Sequence, residues 1–146
     1  MQIKQTVKLL TVAILFTLTL ACKKDNPSNQ NAQLVGSWTE SPLEAQYSRT
    51  LYFDADGSFT LHSFTFGSSP SGVTLNGTYS VNGNQLTINV TEEISNSKDF
   101  PSTNTKVNYS LLDKATFSVT GNKLTLNYTS YPADAPVATT IVLIRN

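Results

Sequence analysis

The fold is decided by the stretch Tyr79-Ser80-Val81-Asn82-Gly83-Asn84-Gln85-Leu86-Thr87-Ile88-Asn89-Val90, in which apolar residues alternate with Ser, Thr and Asn around an Asn-Gly pair. Alternation with a period of two is typical of strands that bury one face, and glycine supplies the positive φ that a tight hairpin needs. The pattern recurs 38 residues later, from Phe117 to Tyr128, with Gly121 in the place of Gly83. Each copy therefore predicts an antiparallel hairpin.

Working outward, similar short alternating segments occupy most of the chain after residue 32. A third hairpin joins 51–53 to 58–61 through Asp54-Ala55-Asp56-Gly57, and further strands are predicted at 34–39, 73–78, 105–112 and 138–145. Eight or nine locally connected strands without a helix predict an all-β fold, either an up-and-down antiparallel β-barrel of about eight strands or a β-sandwich. We prefer the barrel, because closure removes edge strands that few charged residues would protect here.

Aromatic residues make up 10% of the chain, and many share the inward parity of the predicted strands. Two interpretations stay open: a barrel filled by its own side chains, or an apolar cup at the open end. Phe64 and Phe66 differ in parity from Phe59 and Leu61, so either a bulge near His62 realigns them or they leave the core and line the rim. The candidate ligand-binding residues are Trp38, Phe53, Phe59, Phe64, Phe66, Tyr79, Ile88 and Tyr109.

The N-terminal segment is typical of an export signal. Lys4 and Lys8 precede a thirteen-residue apolar run, 9–21, that is shorter than the roughly 20 residues of a membrane-spanning helix. Thr19-Leu20-Ala21-Cys22 resembles a bacterial lipobox, which implies cleavage before Cys22 and lipidation of its thiol. The alternatives are a transmembrane anchor, which the run length disfavours, and an unmodified Cys at the end of an ordinary signal peptide.

The domain boundaries follow from these segments. We expect a lipoprotein signal peptide at 1–21, a lipidated Cys22 with a flexible tether at 22–32, and a barrel domain at 33–146. The tether is polar and almost free of apolar residues. The sequence after Cys22 also resembles the start of lipoproteins of Bacteroidetes-type bacteria, which implies a cell-envelope protein anchored to the outer membrane and facing either the periplasm or the surface.

Composition excludes several classes of function. Ten basic residues balance ten acidic ones and charged residues are only 14% of the chain, which argues against nucleic-acid binding. One Cys and one His allow no disulfide framework and no ordinary zinc site. Asp54-Ala55-Asp56-Gly57 starts like a calcium loop, but Thr65 stands where the loop needs a Glu. With no nucleophile-elbow motif either, we expect no enzyme activity, no catalytic residue, no metal and no cofactor.

A family resemblance enters with Leu34-Val35-Gly36-Ser37-Trp38, which resembles the Gly-x-Trp signature of lipocalins. The hairpin beginning Gly77-Thr78-Tyr79 is similar to the lipocalin-like domains of Bacteroidetes lipoproteins, and the resemblance extends over 33–146. It implies that an Arg near the last strand stacks on the Trp at the closed end, and Arg145 is the residue placed to do so. The alternative is an Arg145 that is merely solvated near the C-terminus.

Two functions follow as expectations. The first is a lipid-anchored, lipocalin-like barrel that binds a small hydrophobic ligand without catalysis, contacts the membrane through Cys22 and is monomeric. The second is a structural or interaction lipoprotein with a filled barrel, whose loops at 67–72, 92–104 and 131–137 bind another envelope protein or a glycan.

Overall fold

The computed structural model describes residues 27–146, with side chains from residue 31 onward, so the predicted signal peptide and Cys22 lie outside the described residues. Within this range one helix precedes nine strands. The elements are α1 (Pro27–Leu34), β1 (Gly36–Glu40), β2 (Tyr47–Phe53), β3 (Ser58–Thr65), β4 (Ser71–Asn82), β5 (Gln85–Ser97), β6 (Phe100–Ser110), β7 (Asp113–Thr120), β8 (Lys123–Ser130) and β9 (Val137–Arg145).

Eight of the strands close into a ring of antiparallel neighbours in the order β1-β2-β3-β4-β5-β7-β8-β9, and β9 returns to pair with β1. The ninth strand, β6, pairs only with β5. The predicted all-β barrel is therefore confirmed, as a closed eight-stranded barrel with one additional strand, and the alternative of a β-sandwich is excluded.

The hairpins anticipated from the repeated pattern are present in the structure. Gly83 in the β4–β5 turn and Gly121 in the β7–β8 turn both have φ of 62°, and Gly57 in the β2–β3 turn has φ of 88°. These values lie in the left-handed region that glycine enters without steric cost. The turn chemistry thus fixes the register of three hairpins locally.

The strands β5, β6 and β7 depart from simple up-and-down pairing. The start of β5 pairs with β7 through Gln85 and Thr116, whereas its later part, from Asn89 to Ser97, pairs with β6. β6 and β7 therefore follow one another along the same edge of β5. As a result β6 is paired to the later part of β5 and is not one of the eight strands of the ring.

Residues 27–34, which overlap the segment expected to be a flexible tether, form the helix α1. Leu34 at its end is fully buried, and its carbonyl accepts a hydrogen bond from Trp38 Nε1 at 2.7 Å. The helix thus ends in the barrel core. The composition of this segment does not predict a helix, because the contacts that stabilise the helix are tertiary.

The core lies on the inner face of the barrel and follows the predicted strand parity. β3 pairs with both neighbours without a register shift, so no bulge realigns Phe64 and Phe66, which are exposed. The buried core consists of Leu34, Trp38, Leu51, Phe53, Phe59, Leu61, Leu75, Tyr79, Leu86, Ile88, Val90, Leu112, Ala115, Phe117, Leu124, Leu126 and Leu143.

Candidate functional site

The barrel has a closed end, where β1 begins and β9 finishes. The guanidinium carbon of Arg145 lies 4.1 Å from the centroid of the Trp38 ring. The same guanidinium donates hydrogen bonds to the carbonyls of Val35 at 2.7 Å and Gln33 at 2.9 Å. A Cβ at Gly36 would come within 2.6 Å of Arg145 Nη1, so the absence of a side chain there leaves room for the arginine.

Five of the eight predicted ligand-binding residues form a packed floor above this end. Phe53 lies at ring-centroid distances of 5.4 Å from Phe59 and 4.9 Å from Tyr79, while Trp38 and Ile88 are fully buried beside them. The Tyr79 hydroxyl donates to the carbonyl of Asp54 at 2.8 Å. Burial, and then the negative charges of Asp54 and Asp56, raise the pKa of Tyr79.

The other three predicted residues lie apart from this floor. Phe64 and Phe66 contact each other at 4.8 Å between ring centroids but are exposed at the end of β3, while Tyr109 is exposed on β6. Burial, and then the charge of Glu93, raise the pKa of Tyr109. The structure therefore divides the eight residues into a buried cluster of five, a separate Phe64–Phe66 pair and an isolated Tyr109.

The opposite end of the barrel, which we call the mouth, carries an ion pair on its inner face. Trp38 pairs with Leu51, so the next positions on the same face are Glu40 and Arg49. Arg49 Nε donates to Glu40 Oε2 at 2.8 Å and Arg49 Nη2 donates to Glu40 Oε1 at 2.9 Å, with both side chains about three-quarters buried. Burial disfavours the charged form of Arg49. Hydrogen bonding and attraction to Glu40 outweigh this effect and raise the pKa of Arg49.

A pocket of about 320 Å³ opens beside this ion pair, beneath the loop that joins β1 to β2. Tyr47 forms one wall, and its hydroxyl accepts a hydrogen bond from Ser63 Oγ at 3.1 Å. The lining combines apolar carbons with a neutralised charge pair, a mixture that suits an apolar ligand with a polar group. The lining residues are Glu40, Ser41, Pro42, Leu43, Glu44, Tyr47 and Arg49.

Sequence reasoning missed this pocket. Continuing the inward parity of Trp38 by two residues reaches Glu40, and continuing that of Leu51 backward by two reaches Arg49. The strand parity thus already indicated that a Glu and an Arg face each other on the inner side of the barrel. The loop residues Pro42 and Leu43 carried no such signal because loop conformation does not follow strand parity.

Loops at the mouth end expose large apolar side chains. Leu43 between β1 and β2 is 67% exposed, Phe100 at the start of β6 is 74% exposed, and Tyr131 after β8 is 63% exposed. The Tyr131 hydroxyl donates to Asp113 Oδ2 at 2.5 Å. This end is therefore the more apolar of the two at its surface.

A second pocket, of about 380 Å³, lies where β6 ends and β7 begins. It is lined largely by polar side chains and backbone of the β5–β7 seam, including Gln85, Ser110 and Lys114. We choose the mouth pocket as the candidate site, although it is slightly smaller, because its lining includes a partly buried ion pair aimed into the barrel.

Side chains that commonly bind metal ions do not cluster in the part of the chain that the structure describes. No group of three or more His, Cys, Asp and Glu side chains among residues 27–146 could hold a metal ion. His62 Nδ1 lies 3.1 Å from Thr74 Oγ1, and the His62 ring packs edge-on against Tyr52 at 5.3 Å. His62 thus contacts a hydroxyl and an aromatic ring on the outer face.

None of the helical structure between residues 27 and 146 has the length and hydropathy needed to cross a bilayer.

Comparison with known proteins identifies one family. A family model described as a lipocalin-like domain matches residues 23–106, which is more than half of the chain, and the match ends within β6. No curated protein and no solved structure matches the chain significantly.

Proposed function

Because the chain belongs to the lipocalin-like domain family, we propose that it binds a small hydrophobic ligand at the barrel mouth, without catalysis, as a lipid-anchored protein of the cell envelope. The observation that carries this proposal is the mouth pocket beside the Glu40–Arg49 pair. Its volume of about 320 Å³ lies at the lower end of the range that small-molecule sites occupy.

The packed floor limits how far a ligand enters. Trp38, Phe53 and Phe59 are each at most 1% exposed, so they leave the lower half of the barrel to protein side chains. A ligand would therefore rest on Pro42, Leu43 and Tyr47 near the surface, with any polar group directed at Arg49 or Glu40. This geometry favours a short or compact ligand over a long acyl chain.

Binding is tested by incubating the purified protein with a lipid extract, followed by native mass spectrometry and thermal unfolding. We expect a bound mass below that of a two-chain phospholipid, together with a raised unfolding temperature. Leu43→Asp places a charge in the apolar wall and should abolish the adduct, whereas Thr87→Asp, at an exposed position of β5, should retain it. Absence of any adduct in the wild-type protein would contradict ligand binding.

The anchoring part of the proposal rests on the lipobox-like sequence before Cys22. The described chain enters β1 at the closed end of the barrel. Intact mass measurement of the membrane-extracted protein should show a chain beginning at residue 22 with added acyl mass. A Cys22→Ala variant should lose that mass, and an unmodified wild-type Cys22 would refute the anchor.

The packed floor also favours a second function, an interaction lipoprotein whose barrel is filled. In that case the exposed apolar residues Leu43, Phe100 and Tyr131 would contact another envelope protein or a glycan. In-cell cross-linking from the mouth loops distinguishes the two functions. A single recovered partner lost in Phe100→Ser but retained in Thr87→Ser would support the interaction role.

A further inference from the structure

The outer edge of β6 is unpaired within the part of the chain that the structure describes. β6 contacts β5 along one edge, and its other edge meets no strand of residues 27–146. Ten of its eleven residues are exposed, and only Val107 is partly buried. Such an edge presents a row of backbone N–H and C=O groups that can pair with another strand.

The pairing of β6 with β5 shifts register on either side of Thr103–Lys106, so this run is the regular part of the edge. Lys106 is its one charged residue, and Lys106 Nζ is engaged by Glu92 Oε1 of the neighbouring strand at 3.0 Å. Pro101, which lacks a backbone N–H, is the second residue, so the nine that follow keep theirs. Barrel closure was expected to remove the edges of this chain, and β6 is an edge that remains among the described strands.

We propose that β6 is an interface between two copies of this chain, paired antiparallel about Thr105. Thr105 lies in the run Thr103–Lys106, where β6 pairs with β5 without a register shift, so pairing about it uses the regular part of both strands. A two-fold arrangement of this kind is closed, because each copy presents the same edge and no further copy is added.

The sequence of β6 is complementary to itself in this register. Lys106 of one copy faces Asn104 of the other, so the two lysines are not opposed. Thr105 of one copy faces Thr105 of the other, which forms a favourable Thr–Thr pair. Thr103 of one copy faces Val107 of the other. Pairing about Lys106 would instead place like charges opposite each other, which is unfavourable between strands.

A second copy of this chain matches the residues along this edge better than an arbitrary peptide does. The central run of β6 leaves no charge to be matched by a partner, since the charge of Lys106 is already balanced by Glu92. Among the described strands β6 pairs with β5 alone, so a second copy can pair with its other edge without displacing a strand.

Cysteine cross-linking in intact cells tests the pairing in the full-length chain. Thr105→Cys brings two thiols together at the two-fold axis, where the Cα separation of antiparallel partners, about 4.5–5.5 Å, suits a disulfide. Under mild oxidation we expect a disulfide-linked species of twice the chain mass of 15.9 kDa before processing, severalfold above the Thr87→Cys control. Thr87 is also exposed but lies on β5, away from the edge, and both variants retain Cys22.

The register is tested by co-expressing Thr103→Cys with Val107→Cys, which should form a mixed dimer while neither variant alone forms one. The proposal is overturned if Thr105→Cys dimerises no more than Thr87→Cys. It is also overturned if the Thr105→Cys product has the mass of a different protein. Self-linking of Thr103→Cys in place of Thr105→Cys would overturn the stated register.

Discussion

Arg145 joins the last strand to the first, because its guanidinium covers the Trp38 ring at 4.1 Å while the two residues are also cross-strand partners in the β9–β1 pair. Its hydrogen bonds to Val35 and Gln33 extend the connection to the segment that leads from α1 into β1. The Arg145 side chain thus connects the first and last strands of the barrel where the ring closes.

Removing this side chain should weaken the closed end. We expect Arg145→Ala to lower the free energy of unfolding by about 1–3 kcal/mol, from the lost cation–π contact and the lost hydrogen bonds to two carbonyls. Arg145→Lys should lose less, because it retains the charge but not the planar fork. Urea unfolding checks both values, with Lys123→Ala as an exposed control, and equal stability of Arg145→Ala and wild type would contradict the role.

Gly77 is predicted to tolerate no side chain. A Cβ there would lie 2.0 Å from the carbonyl oxygen of Asn89, at the register shift between β4 and β5. Since backbone atoms on both strands would have to move, Gly77→Ala should destabilise the protein by about 3 kcal/mol or more. Gly83→Ala is the matched control, because open space surrounds its Cβ and only the positive φ costs about 1 kcal/mol. Similar losses in both variants would contradict this packing.

Glu92 should make stability depend on pH in the acid range. Hydrogen bonds from Asn76, Lys106 and Asn104 lower its pKa from 4.5 to about 2 in the folded protein. The folded state therefore favours the ionised carboxylate, and this stabilisation is present above pH 4.5 and is lost as the pH falls toward 2.

Urea midpoints measured through this range provide the check. Glu92→Gln should flatten the pH dependence, and Lys106→Met, which removes one of the three donors, should flatten it in part. An unchanged slope in Glu92→Gln would contradict the assignment.

The strands that carry their own turn chemistry could be predicted from sequence. The Asn82-Gly83 and Gly121-Asn122 turns fix two hairpins through local backbone preferences, and the inward parity then follows residue by residue. The division of β5 between β6 and β7 could not be predicted, because it depends on a single pairing, Gln85 with Thr116, between distant segments. The helix at 27–34 could not be predicted either, because it is stabilised by tertiary contacts such as the burial of Leu34.

The candidate site was only partly accessible to sequence reasoning. Seven aromatic residues and Ile88 were predicted as one ligand-binding set, but packing in the assembled barrel decides which of them fill the floor. Trp38, Phe53 and Phe59 pack together there, whereas the mouth is lined by Glu40 and Arg49. Sequence periodicity predicts which face of a strand a side chain occupies. The depth of that side chain along the barrel axis depends on how the strands assemble into the ring.

The most direct test of the central claim uses Trp38, the single tryptophan of the chain, as a fluorescence donor in the floor below the mouth. Titration with N-phenyl-1-naphthylamine, a neutral apolar probe, should give saturable probe emission excited through Trp38. Leu43→Asp should weaken the apparent affinity by about tenfold, because it replaces an apolar contact with a charge, while Thr87→Asp should leave it unchanged. Absence of saturable transfer in wild type, or equal affinity in Leu43→Asp, would contradict ligand binding at the mouth.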